Sequence, residues 1–130
     1  MFQNVEEARE FFKNDRFATG NGMIIEELGD DYAVTSVELT PEHMNAAGGV
    51  MGGVHFTLAD FAFAVISNHI HLVSVALTTS ITFLSAVKGD KLYARCQLVK
   101  DGRTTGCYQT EVTDNTGRHV ATLNMNVFKK

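Results

Sequence analysis

The sequence predicts an α+β fold: an antiparallel sheet of five or six strands wrapped around one long buried helix, with a short N-terminal helix ahead of it. Three observations carry this. Residues 54–66 hold one formally charged residue, Asp60, and their apolar positions Phe56, Leu58, Ala59, Phe61, Ala62, Phe63, Val65 and Ile66 cover every side of a helical wheel. That is the pattern of a buried helix. After it come four runs with period-two alternation, divided by turn residues. Before it lies a loop rich in glycine, Gly48, Gly49, Gly52 and Gly53. With 130 residues and no linker or repeat, the chain reads as one domain over 1–130.

Asn4 followed by Glu7 has the form of a capping box, and Val5, Ala8, Phe11 and Phe12 recur at helical spacing. This gives an amphipathic helix over 5–13. Asn14-Asp15 ends it, and Gly20-Asn21-Gly22 is a second break. Residues 23–28 and 32–39 form a hairpin about Gly29-Asp30-Asp31, stopped by Thr40-Pro41-Glu42. The buried helix follows, and 69–72 is a connection. Over 73–83 the positions Val73, Val75, Leu77, Thr79, Ile81 and Phe83 form one buried face. Lys88-Gly89-Asp90 turns into 91–99, with Leu92, Ala94, Cys96 and Leu98 inward. Residues 104–113 return. After Asp114-Asn115-Thr116-Gly117, the run 119–128 turns Ala121, Leu123, Met125 and Val127 inward.

The hairpin at Asp101-Gly102 has a register problem. A two-residue turn sets Glu111 opposite Leu92 on the core face, a costly burial. One extra residue at Gly102 swaps the faces and turns Gly106, Tyr108, Thr110 and Val112 inward. Cys96 and Cys107 then point to opposite faces and stay reduced.

Composition excludes several classes. A hydrophobic share of 45% and a charged share of 20% are globular values. A net charge of −4 gives no basis for nucleic acid or an acidic membrane as partner. The apolar helix falls short of the roughly 18 residues a membrane span needs. The first residues, Met-Phe-Gln-Asn-Val-Glu-Glu, lack the basic-then-apolar order of a signal segment, so a cytoplasmic protein is expected. Two cysteines are too few for a disulfide framework or a zinc site, and His69-x-His71 has no third ligand nearby, so neither metal nor cofactor is expected.

The candidate chemistry sits around the helix. A carboxylate in an apolar helix needs a partner or a raised pKa, which makes Asp60 the first candidate. Gly52 and Gly53 at the helix start carry unpaired N–H groups able to bind an oxyanion. Asn45, in the preceding loop, can donate to a carbonyl or hold a water, although turn stabilisation is the commoner role of such an Asn. Asp60 lies eight residues beyond Gly52, about 12 Å along a helix. One carbonyl cannot lie near both groups in one chain, so a shared substrate requires two copies paired about a two-fold axis.

These residues carry a family resemblance. Asn45, then Met51-Gly52-Gly53, then Leu58-Ala59-Asp60 resembles the signature of PaaI-type hotdog-fold acyl-CoA thioesterases, which reads Asn, a spacer, His-Gly-Gly and Leu-Ala-Asp. Ile81-Thr82-Phe83-Leu84, Gly89-Asp90 and Gly102-Arg103 fit as well, so the resemblance spans residues 4–128. It implies a hotdog fold and hydrolysis of a small or medium acyl- or aryl-CoA. Asp60 is then base or nucleophile, the Gly52 N–H polarises the carbonyl, and Asn45 positions the carbonyl or water. Met51, Gly53, His55, Thr79 and Ser80 are implied on the substrate side, with Lys88, Lys100 and Arg103 near the CoA phosphates. A homodimer with sites across its interface, commonly paired into a homotetramer, is implied too.

One position departs from the pattern: Met51 stands where the family has His. Methionine neither donates a hydrogen bond nor titrates, which weakens the oxyanion side of the site. His55, one helical turn on, is the nearest substitute. A second reading therefore stands beside the enzyme: a non-catalytic acyl-CoA or small-ligand-binding protein in which Met51 fills the acyl pocket. Phe56, Phe61 and Phe63 suit an aryl pocket, although phenylalanines at helical spacing more often form plain core.

Overall fold

Asn4 caps the first helix: its Oδ1 accepts from the Glu7 N–H at 2.9 Å, and α1 runs Val5–Phe12 with Ala8 and Phe12 turned into the core. The computed structural model describes residues 1–130. A second helix, α2 (Arg16–Gly20), occupies the stretch between the two expected breaks. Five residues are too few for a periodicity to register. β1 (Ile24–Leu28) and β2 (Tyr32–Glu38) then pair as the expected hairpin.

The chain next makes a short 3-10 turn, Pro41–His43, capped by Thr40. α3 follows over Gly52–Ile70, so Gly52 and Gly53 are its first residues and the connection expected at 69–72 is partly helix. β3 (Ser74–Phe83), β4 (Lys91–Asp101), β5 (Thr105–Asp114) and β6 (His119–Lys129) complete the chain. The six strands form one sheet in the order β1-β2-β4-β5-β6-β3, with every pair antiparallel. α3 carries the chain from β2 across one face of the sheet to its far edge.

The core lies between that face and α3. Leu58, Ala59, Ala62, Val65 and Ile66 of the helix are fully buried with Leu92, Ala94 and Cys96 of β4, Val112 of β5, and Ala121, Leu123, Met125 and Val127 of β6. These are the strand residues the alternation turns inward. The Thr35 hydroxyl adds a polar tie, donating to the Leu58 carbonyl at 2.9 Å.

The β4–β5 hairpin has the faces that the cost of burying Glu111 requires, but the extra residue is Val99 and not Gly102. Leu98 pairs with Tyr108 and Lys100 with Cys107, which leaves Val99 unpaired. Gly102 serves the turn itself, where a Cβ would come within 2.6 Å of the Thr105 carbonyl oxygen. Cys96 is buried, Cys107 is exposed, and both thiols are free.

Two further expectations are corrected. The apolar face of β3 is not covered within one chain: Val75, Leu77 and Phe83 are 43%, 55% and 55% exposed. β3 is an edge strand paired only with β6, so nothing of the same chain lies beyond it. Nor is α3 enclosed on all sides. Gly53, Phe56, Thr57 and Asp60 form a stripe on which Gly53 and Phe56 are exposed and Thr57 and Asp60 half-buried. A single sheet covers one side of a helix, and α2 with its loop covers only part of the other. No helix is long and apolar enough to cross a membrane.

Candidate active site

The loop ahead of α3 is closed by its own hydrogen bonds. Asn45 Oδ1 accepts from the Ala47 and Gly49 N–H groups, each at 3.0 Å, and the Asn45 N–H donates to the Gly49 carbonyl at 2.7 Å. The Asn45 side-chain oxygen is therefore committed to the loop, and only its NH₂ group is free to donate. His43 ties the loop to the rest of the chain. It is 5% exposed, its Nδ1 accepts from the Thr40 N–H, and its Nε2 lies 2.8 Å from the Asn21 carbonyl. Its sequence signal is Thr40-x-x-His43, a capping box with His in place of the usual Glu or Gln.

Met51 is the N-cap of α3, gives no side-chain cap bond and is 57% exposed. The Gly52 and Gly53 N–H groups find no acceptor in the chain. Gly52 packs closely on Phe83: a Cβ there would lie 2.8 Å from Phe83 Cζ, so a larger residue would push the ring aside. The Phe83 ring also meets His55 edge-on, with centroids 5.6 Å apart. His55 is buried, with Nδ1 3.4 Å from the Met51 carbonyl oxygen. Burial pushes its imidazole below the ordinary value, against the opposing pull of that carbonyl, so it is neutral at pH 7. Gly52, His55 and Phe83 line a cavity of about 350 Å³ with Val50 and residues 85–87.

Asp60 opens elsewhere. Its cavity, about 250 Å³, is lined by Asp15, Arg16, Phe17 and Ala18 from the α2 segment and by Thr57 and Phe61 from α3. Its carboxylate makes no ion pair in the chain. Burial raises its pKa, and the negative charge of Asp15 raises it further. Met51 and Gly53 line a third cavity, about 170 Å³, which shares Phe17 and Thr57 with the second. The structure thus brings Gly52 together with His55, and Met51 with Gly53, but keeps Asp60 apart from Gly52.

Thr79 is half-buried and Ser80 exposed midway along β3, opposite Met125 and Asn124. Lys88, Lys100 and Arg103 are exposed and form no ion pair. None of these five lines the three cavities just described. The largest cavity, about 660 Å³, lies by Ser36, Glu38, Glu42 and Lys91 and holds none of the candidate residues. It includes no residue of α3, but it shares Asn21, Glu42 and His43 with the cavity of Met51 and Gly53. No group of three or more His, Cys, Asp or Glu side chains is arranged to hold a metal ion. The residues the sequence reading missed are Asp15, Arg16, Phe17 and Thr57. Asn14-Asp15 carries a helix-stop signal, which hides that the next residues fold back over Asp60.

A curled antiparallel sheet around one helix, with free N–H groups at the helix start and an unpaired acid two turns on, defines a class of acyl-transfer protein. The chain belongs to the thioesterase superfamily, whose profile matches residues 47–121. It is a thioester hydrolase with the hotdog fold, of the PaaI type. The acyl-coenzyme A thioesterase PaaI of Escherichia coli K12 is 32% identical over 117 residues, covering 89% of this chain and 84% of its own. The solved structure of the E. coli PaaI protein superposes with a TM-score of 0.89 at 31% identity, covering 95% of this chain and 90% of that one. A thioesterase structure from Streptococcus pneumoniae, solved with coenzyme A, gives 0.83 at 28% identity over 92% of this chain and 96% of that one.

Proposed function

We propose that two copies of the chain hydrolyse the thioester of a small or medium acyl- or aryl-CoA in a shared site. Asp60 of one copy is base or nucleophile, and the Gly52 N–H of the other polarises the carbonyl. One observation carries this reading: Gly52 and Asp60 open into different cavities of one chain, while the helix stripe between them is left uncovered. Antiparallel pairing of two α3 helices about a two-fold axis sets the Asp60 cavity of one copy against the Gly52 cavity of the other. The apolar edge of β3 supplies a second surface for that pairing. The coenzyme A carried by the S. pneumoniae relative supports the substrate class.

In the base route Asp60 takes a proton from water, whose oxygen bonds to the carbonyl carbon. Negative charge gathers on the carbonyl oxygen, where the Gly52 N–H and the positive end of α3 oppose it. The C–S bond then breaks, and the thiol leaves with the proton. In the nucleophile route Asp60 itself bonds to the carbonyl carbon, the C–S bond breaks and the thiolate leaves; water then hydrolyses the resulting anhydride, freeing the acid and the Asp60 carboxylate, and its proton goes to the thiolate. His55 lies beside Gly52 on the substrate side, with its Nδ1–H held by the Met51 carbonyl. The Asn45 NH₂ group holds the carbonyl or the water. Met51, Gly53, Thr79 and Ser80 contact the acyl chain and pantetheine, and Lys88, Lys100 and Arg103 face the CoA phosphates. Dimers pair further into a tetramer.

The test is thiol release from a panel of acyl- and aryl-CoA esters by wild type and Asp60→Asn. Release confined to wild type supports hydrolysis. Binding of the esters without release above the D60N level leaves the second reading, a binding protein, which the exposed and uncapped Met51 favours. Met51→His separates the two further, because a hydrolase lacking one donor gains rate from it.

A further inference from the structure

α2 brings a second carboxylate to the cavity of Asp60. Asp15 occupies the N-cap of α2, where an aspartate ordinarily accepts from the first N–H groups of its helix. Here the side chain makes no cap bond, and it enters no ion pair. Only the Asp15 backbone is engaged: its carbonyl accepts from the Thr19 N–H and hydroxyl, and its N–H donates to Phe12. The carboxylate is left to the cavity of about 250 Å³ that Asp60 also lines.

We propose that Asp15 is a positioning residue for the thioester chemistry: a second negative charge across this cavity, it keeps the Asp60 carboxylate strongly basic. The inference rests on reading Asp60 as base or nucleophile. Two carboxylates open to one cavity each disfavour ionisation of the other. Asp15 is the more exposed and ionises first, so its charge is present when Asp60 gives up its proton. Accordingly Asp60 is raised by burial and then by Asp15, whereas Asp15 is raised by burial alone. Arg16 lines the same cavity without an ion pair. Cys96, on β4 beneath the helix, is a neutral thiol pushed up to about 12, chiefly by burial. Within one chain, burial and the charge of Asp15 are the two causes that raise Asp60.

The experiment compares wild type with Asp15→Asn, in which asparagine is an equally good N-cap. The Asp60 carboxyl is titrated by carbon-13 NMR, assigned with D60N, and the pH profile of thiol release is measured with acetyl-CoA and benzoyl-CoA. In D15N the Asp60 midpoint falls by about half a unit or more. The acidic limb of kcat/KM falls with it, plateau kcat drops several-fold, and KM stays within about twofold, the signature of a weakened base. Asp15→Glu, which keeps the charge, restores the limb. If D15N loses its fold by circular dichroism, Asp15→Ser carries the same comparison. An Asp60 midpoint unmoved in D15N overturns the inference. A midpoint that falls while the rate profile stays put, or while no thiol is released at all, upholds the coupling and refutes Asp60 as the reacting group.

Discussion

In the proposed reaction Asp60 must lose a proton before it acts, and two features of its surroundings resist that loss: burial and the charge of Asp15. The acidic limb of thiol release is therefore expected above the ordinary aspartate value of 3.8. With Asp60 as the proposed base or nucleophile, substitution by Asn is expected to cost on the order of 10²–10⁴ in kcat, measured on any ester the wild type turns over. The same change acts on stability with the opposite sign. A carboxyl whose folded pKa is raised binds more protons folded than unfolded, so its contribution falls as pH rises through that window. Above it, D60N is expected to melt at a higher temperature than wild type, which a thermal scan at pH 7 checks. Asp60 and Gly52 are legible in the sequence because an acid in an apolar helix and paired glycines at its start are unusual locally. Asp15 is not, because Asn-Asp before a short helix is ordinary turn chemistry.

Between elements, one buried side chain does most of the clasping away from the site. Asp114, 2% exposed, ends β5. Its Oδ2 accepts from the Lys88 and Gly89 N–H groups, and its Oδ1 from the Thr116 and Arg118 N–H groups and the Thr116 hydroxyl. Burial raises its pKa, but the donors outweigh burial and hold the carboxyl well below the usual carboxylate range. The stability it confers is present above the unfolded aspartate pKa, and it is lost as pH falls from there towards the depressed folded value. Asp114→Ala is expected to lower stability by roughly 1.5–3 kcal/mol, seen as a lower denaturant midpoint at unchanged slope. Gly52→Ala tests the helix start in the same way. The added methyl displaces the Phe83 ring, so thiol release falls more than stability does. Strand faces were legible from alternation and helix capping from Asn4. α2 was not, since one turn and a half of helix carries no period.

At the scale of the whole molecule, alternation marks an apolar face without saying whose atoms cover it. Residues 73–83 read as core for that reason, yet Leu77 and Phe83 lie open at the sheet edge. The same holds for Phe56 on α3, which is 38% exposed. A core face and an interface face have one sequence pattern, and only the topology, with β3 placed beyond β6, separates them. Leu77→Lys sets a charge on that edge without touching the Asp60 cavity. Sedimentation of this variant is expected to yield monomer, with thiol release lost in parallel. A monomer that keeps full activity would refute the shared site.

The two margins of the sheet are unlike. β3 offers ten residues with no charged side chain, whereas β1 offers five, interrupted by a bulge and bearing Glu26 and Glu27. Charges and bulges blunt a strand as a template for further pairing. When two copies join through β3, both adhesive margins are used and only blunt ones face outward. In the proposed dimer, edge-to-edge growth is therefore self-limiting: the margins left outward are poor templates for a fibre, and pairing of dimers into a tetramer must use another surface.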